Sequence, residues 1–331
     1  MKLGTVYSLL SASALALAGA QASAAATMQA AVVTDGTGAV KIESMPIPEP
    51  GPAQVRIRVK AVSVNPVDWK LAARATPGTR QIPGKDIAGT IDAVGDANSP
   101  WKKGDPVIGL ALSGTGSYAE YALASTSAIA KKPTKMSYEE ASGIPVVAET
   151  AWRAIVTVGN VQKGQRVLIH GAAGGVGSSA VQFAKARGAY VIGTASARNH
   201  EFLKSLGVDE TIDYTTTRFE DKVKNVDVVL NTADADTNAR SVGIVKKGGI
   251  LVSVVGAPPA DACAAAGIRC SGVGSVNGQM LPAIVDFANS NKFQINIEQR
   301  MPLADASKAW DLNRAGHTRG KIVLLVPSSG S

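Results

Sequence analysis

Eight residues restrict the fold of this chain more than any others: His170-Gly171-Ala172-Ala173-Gly174-Gly175-Val176-Gly177. They follow Arg166-Val167-Leu168-Ile169-His170, an apolar run of the kind buried within a parallel sheet. They open a helical stretch, Val176 to Arg187, in which Val176, Ala180, Phe183 and Ala184 share one face and Gly188 is the stop. Glycines between a strand and a helix allow a tight turn and let the backbone approach a ligand closely. The helix N-terminus then offers free N–H groups and partial positive charge to a pyrophosphate. The spacing reads A-x-G-x-x-G, with Ala172 where the first glycine usually stands. Downstream the alternation continues. A strand is expected at Tyr190–Thr194, a helix at Arg198–Leu206 ending on Gly207, and strands near 210–214, 226–232 and 250–255. This βαβαβ order predicts a doubly wound parallel sheet that binds a dinucleotide.

The end of the second strand distinguishes two cofactors. An NAD site places Asp or Glu about 20 residues beyond the glycines, to hold the ribose 2′-hydroxyl. Here the stretch is Gly193-Thr194-Ala195-Ser196-Ala197-Arg198-Asn199, with no carboxylate. Ser196 and Arg198 can hydrogen-bond and neutralise a 2′-phosphate, which a carboxylate would repel. The expected cofactor is NADPH.

The first half of the chain differs in kind. Val55-Arg56-Ile57-Arg58-Val59 alternates with period two, as a half-buried strand does. Gly89–Gly95 and Pro106–Leu110 are further short strands between glycine-rich turns, so residues 28 to about 130 read as a partly open β-barrel. Ser137 with Glu140 three residues on marks a helix start. At the C-terminal end a helix over 280–290, a strand over 293–297, a helix over 303–315 and a strand over 321–326 are too few for a third domain. They are expected to complete one or both of the others.

A length of 331 residues corresponds to about two domains. With 45% hydrophobic and 18% charged residues the chain is neither disordered nor fibrous. The formal charge of +8 comes from scattered lysines and arginines without interleaved aromatics, so a nucleic-acid partner is not expected. Residues 1–26 read as a secretory signal peptide: Lys2, an uncharged apolar or small run, then Ala-x-Ala sites from Ala20 to Ala26. This predicts a periplasmic or secreted protein with no stable membrane anchor after cleavage. Met28 offers an alternative start, and with it a cytoplasmic protein.

Taken together, Asn65-Pro66-Val67-Asp68-Trp69, Pro83-Gly84-Lys85-Asp86-Ile87-Ala88-Gly89, Gly116-Ser117-Tyr118-Ala119-Glu120-Tyr121, the Ala172–Gly177 turn and Gly320-Lys321-Ile322-Val323 resemble the zinc-independent medium-chain reductases, in their quinone oxidoreductase and enone reductase branch. The resemblance covers Met28 to Val326. It implies a GroES-like catalytic domain over 28–148, completed by 282–327, and a Rossmann domain over 149–281, the whole commonly a homodimer. It implies that Asn65 faces nicotinamide and substrate. No residue stands out as a general acid: Tyr118 is the candidate proton donor, and solvent is the alternative. Thr150 falls by the nicotinamide half, and Ala173, Gly174, Gly175, Val176 and Gly177 by the pyrophosphate. Ser196, Arg198 and Tyr214 fall by the 2′-phosphate, Val254, Val255 and Gly256 beside the nicotinamide, and Lys321 near a closing cofactor contact.

No metal is expected. The metal-dependent relatives use clustered Cys and His, whereas this chain has only Cys263 and Cys270, and His170, His200 and His317 lack a ligand spacing. The two cysteines could close a disulfide in an exported protein and would be ordinary thiols in a cytosolic one. Without a metal, a conjugated acceptor is the easier substrate, since its charge spreads onto oxygen as hydride arrives. The expected function is NADPH-dependent reduction of a quinone or an α,β-unsaturated carbonyl. The alternative is a non-catalytic NADPH binder of the same fold, a redox sensor or a structural protein.

Overall fold

The computed structural model describes residues 1, 26–34, 39–76, 78–290 and 293–327. The signal-peptide reading falls almost wholly on residues 2–25 and so lies outside the described residues. Among the described residues no helix is long and apolar enough to cross a membrane.

Fifteen strands are described, in three sheets. β1 (Thr27–Val33) and β2 (Val40–Pro46) form an antiparallel ribbon. A seven-stranded sheet is built on β3 (Gln54–Ser63), β4 (Asp86–Val94), β5 (Pro106–Leu110), β6 (Tyr121–Ser125) and β7 (Ile129–Lys131). The third sheet is made of β8 (Arg166–His170), β9 (Tyr190–Ala195), β10 (Glu210–Asp213), β11 (Val226–Asn231), β12 (Val245–Ser253) and β13 (Arg269–Gly272). The chain then returns: β14 (Ile297–Pro302) lies parallel to β15 (Lys321–Leu325), and β15 pairs antiparallel with β3.

β3 shows why period two makes a half-buried strand. Val55, Ile57 and Val59 are buried, while Arg56 and Arg58 between them stay partly in water. Arg56 forks onto Asp92 and Glu49 at 2.7 and 2.8 Å. The third sheet runs β10-β9-β8-β11-β12-β13, with every pair parallel. All six residues of β11 are buried, as expected of a strand covered on both faces. The order reverses between β8 and β11. The loops leaving these two strands splay apart there and open a crevice at the carboxyl ends of the strands.

Helix boundaries follow the local signals. Ser137 accepts from Glu140 N at 3.2 Å while the Glu140 carboxylate accepts from Ser137 N at 2.9 Å, closing the expected box. The expected strand at 293–297 is a correction: regular pairing starts only at Ile297. Phe293 stacks on Phe183 at 5.3 Å, and the Gln182 amide binds the backbone of Gln294 at 2.9 and 3.0 Å. A side chain thus satisfies the main chain that a neighbouring strand would otherwise pair. Cys263 and Cys270 are joined as a disulfide, which ties the helix Ala260–Ala265 to β13.

Candidate active site

A cleft of about 1040 Å³ opens between the two larger sheets, at the point where the strand order reverses. One wall is the glycine turn. Gly174 is extended and caps the helix Gly175–Ala186 without any side chain. The first N–H groups of that helix have no intrahelical partner. A Cβ at Gly174 would meet only the Gly171 carbonyl, at 3.5 Å, so the turn is open on its cavity side. Gly177 differs: a Cβ there would stand 2.3 Å from the Gly171 oxygen, so it serves the close approach of helix to strand and does not line the cleft. The bare helix N-terminus beside an open glycine suits the pyrophosphate of a dinucleotide.

The expected residues gather along this cleft. Thr150, Ala173, Gly174, Gly175, Val176, Ser196, Arg198, Tyr214, Val254, Val255, Asn65 and Lys321 all line it. Gly256 sits just outside, at φ 136°, where its carbonyl accepts from Asn238. At one end are Ser196, Arg198 and Tyr214. Tyr214 is 54% exposed, and Arg198 is exposed and donates to the His317 carbonyl at 2.7 Å. Among the described residues one carboxylate lines the cleft, that of Asp234, and it accepts from Thr237 N at 2.8 Å.

The opposite end is a buried polar network. Asn65 is placed by the turn between β3 and the helix Pro66–Ala72. Its Nδ2 donates to Asp86 Oδ2 at 2.7 Å and to the Ser63 carbonyl at 3.3 Å. Its Oδ1 accepts from Lys321 Nζ at 2.6 Å, and the same ammonium donates to the Val64 carbonyl at 2.8 Å. Both N–H groups of Asn65 therefore have partners, and the group left for a ligand is one lone pair on Oδ1. Asp86 also accepts from Ser63 Oγ and, at 2.8 Å, from Val146 N in the first turn of the helix Pro145–Trp152. That helix carries Thr150, whose hydroxyl donates to the Val146 carbonyl at 2.7 Å and so presents only acceptor lone pairs to the cleft.

Burial sets the charges here. It pushes the Asp86 carboxyl up, against the Lys321 ammonium and three hydrogen bonds that hold it down. It pushes Lys321 down, against the two aspartates that hold it up. Asp68 is pushed up to about 7 by burial, its bond from Asn65 N opposing and the charge of Asp86 adding to the rise. One oxygen of Asp68 accepts from Asn65 N at 2.8 Å and from Tyr118 Oη at 3.1 Å; the other has no partner among the described residues. A neutral carboxyl tolerates that better than a carboxylate does.

Tyr118 is the correction. The candidate proton donor is fully buried, is not among the lining residues, and holds its hydroxyl between Asp68 and Trp310. Burial also raises its phenol well above the ordinary value. Its geometry is that of a core side chain supporting Asp68.

Sequence reading missed Asp86, although it stands in the Pro83–Gly89 stretch. It also missed Glu149, which is buried and accepts from Asn277 N and Gly278 N at 3.1 and 2.7 Å, fixing the loop that brings Val273 to Val276 to the cleft. A carboxylate inside an otherwise apolar helix was the available signal. The segment 313–319 was missed as well. Gly320 N donates to the Ala173 carbonyl at 2.8 Å, and Arg319 reaches Asn199 at 2.9 Å, so the C-terminal segment closes over the glycine turn.

Comparison with known proteins agrees with this geometry. The sequence profile of the alcohol dehydrogenase GroES-like domain matches residues 51–134, and that described as zinc-binding dehydrogenase matches 206–324. The chloroplastic NADPH-dependent alkenal/one oxidoreductase of Arabidopsis thaliana is 34% identical over 80% of this chain and 70% of its own length. The chloroplastic quinone-oxidoreductase homolog of Spinacia oleracea is 31% identical over 80% of this chain and 87% of its own. The structure of the quinone oxidoreductase from Coxiella burnetii superposes with a TM-score of 0.84 at 31% identity, over 91% of this chain and all of that one.

Proposed function

Because this chain belongs to the medium-chain dehydrogenase/reductase family, among relatives that include quinone oxidoreductases and enone reductases, we propose that it is an NADPH-dependent reductase of quinones or α,β-unsaturated carbonyls. The observation that carries this reading is the continuity of the cleft. It runs from the bare helix N-terminus at Gly174–Val176 to the Asn65–Lys321 pair at one end, and to Ser196, Arg198 and Tyr214 at the other.

A bound nicotinamide dinucleotide supplies the hydride, and water supplies the proton that completes reduction of the acceptor. The protein holds and orients. The N–H groups of Gly175 and Val176 receive the pyrophosphate. Ser196, Arg198 and Tyr214 receive the 2′-phosphate end, where Arg198 neutralises charge. Thr150, Val254 and Val255 border the nicotinamide half. Asn65 orients through its one accepting lone pair, and Lys321 fixes that amide from behind. Both cysteines are bonded to each other and His170 is held between Thr194 and Ser241, so neither thiolates nor this imidazole are available to ligate a metal. A conjugated acceptor fits a site of this kind.

Titration of the protein with NADPH and, separately, NADH tests the reading by nicotinamide fluorescence, followed by 1,4-benzoquinone or 3-buten-2-one. Tighter binding of NADPH and its oxidation on addition of acceptor are expected. Binding without oxidation by either acceptor class would overturn the reductase assignment. Equal affinity for NADH would overturn the 2′-phosphate assignment.

A further inference from the structure

Six cationic side chains line the cleft: Lys70, Lys85, Arg198, Arg240, Arg314 and Lys321. Five of them have partners. Lys70 lies 5.3 Å over the Trp69 ring, and Arg198 donates to a carbonyl. Arg240 is paired with Glu220 at 2.7 Å, Arg314 with Asp311 at 3.0 Å, and Lys321 with Asn65 and Asp86. Lys85 is different. It is half-buried and, among the described residues, has neither carboxylate, carbonyl nor ring partner. Among the described residues the only carboxylate on the wall, Asp234, caps its own helix through Thr237.

Position gives this a meaning. Lys85 precedes Asp86, whose carboxylate holds Asn65, so Lys85 stands at the chemistry end, away from Arg198 and Tyr214. It also lines a second recess of about 140 Å³ that shares Val276 with the main cleft and is walled by Leu110, Ala111 and Leu112. An ammonium at the junction of two cavities, partly withdrawn from water and uncompensated, attracts an anion more strongly than an exposed lysine does.

We infer that Lys85 selects acceptors carrying a carboxylate close to the reducible double bond. The inference rests on the reductase reading and narrows its substrate class to anionic enones. The ammonium would form one charge-assisted hydrogen bond with the carboxylate, which turns the conjugated system toward Asn65.

Two acceptors differing in charge test this: (E)-4-oxopent-2-enoate and its methyl ester. The measured quantity is the ratio of their kcat/KM values, compared between the parent protein and Lys85→Met so that the intrinsic reactivity difference cancels. The ratio should fall about tenfold in Lys85→Met and be largely kept in Lys85→Arg, the size of one charge-assisted hydrogen bond. An unchanged ratio in Lys85→Met would overturn the inference. A second measurement needs no turnover: calorimetric binding of 4-oxopentanoate against its methyl ester to the NADPH-loaded protein. Binding that favours the anion and weakens in Lys85→Met supports the inference even if no acceptor is reduced, in which case the reductase reading alone has failed. Equal binding of anion and ester overturns it.

Discussion

The two ends of the cleft are built on opposite principles. At the Arg198 end Arg198 and Tyr214 are exposed and Ser196 is half-buried; the three come from two neighbouring strand ends and are little committed to one another. At the Asn65 end nearly every polar atom is bonded to another buried polar atom, and the participants come from β3, β4, the helix Pro145–Trp152 and β15. The first end can adapt to a ligand, and changing it costs affinity. The second end is fixed before any ligand arrives, and changing it costs the fold as well as the chemistry. A reductase needs that difference: a long cofactor is gripped by loops, whereas hydride transfer demands a geometry held to a fraction of an ångström.

The largest test of this contrast is Asp86→Ala. It leaves the Lys321 ammonium buried without its counter-charge and frees the Asn65 amide. A loss of about 3–5 kcal/mol in denaturant unfolding is expected, with turnover reduced about a hundredfold as the amide and the helix carrying Thr150 drift. Wild-type stability would show that the network is not the rigid end.

Asp68 gives a pH signature. Its carboxyl titrates near 7 in the fold, against about 3.9 in an unfolded chain. Between these values the folded state holds a proton that the unfolded state has lost. Its contribution is therefore complete below about pH 4 and lost as pH rises through 7. Asp68→Asn should gain stability relative to the parent on going from pH 5 to pH 8, by about 1–3 kcal/mol. Parallel curves for the two proteins would place the titration elsewhere.

At the open end the effects are on affinity. Arg198→Ala should cut the preference for NADPH over NADH about tenfold, as expected for one charge-assisted hydrogen bond to a phosphate, with the unfolding midpoint unmoved. A shift in unfolding with no shift in cofactor preference would reverse its placement. Smallest of all, Tyr214→Ala should raise the KM for NADPH about two- to fivefold, the loss of one exposed aromatic contact. A hundredfold effect would mean that this end is as rigid as the other.

These two ends were unequally legible in the sequence. The glycine turn and the residues after β9 are contiguous stretches whose conformation follows from neighbours a few positions away. Gly174 is therefore expected at a pyrophosphate and Ser196 and Arg198 at a 2′-phosphate, and all three line the cleft. The buried end joins residues 65, 86, 146 and 321, and no spacing connects them. Asp86 stands in a glycine-containing stretch, Pro83–Gly89, that does not itself say what the carboxylate will face. Tyr118 looked like a donor because an aromatic hydroxyl in a motif says nothing of which way it faces.

What the sequence determined by itself is what local interactions decide. Period-two burial makes β3, apolar runs make β8 and β11, Ser137 with Glu140 starts a helix, and a bare glycine turn opens another. Only the tertiary structure decided which charges were compensated. Lys85 and Lys321 are the same residue type, and each directly follows a glycine. One faces a carboxylate and an amide brought from more than 230 positions away, and the other faces a cavity. Electrostatic energy depends on distance through space and on how much water remains between the groups, and neither is written in the order of the chain.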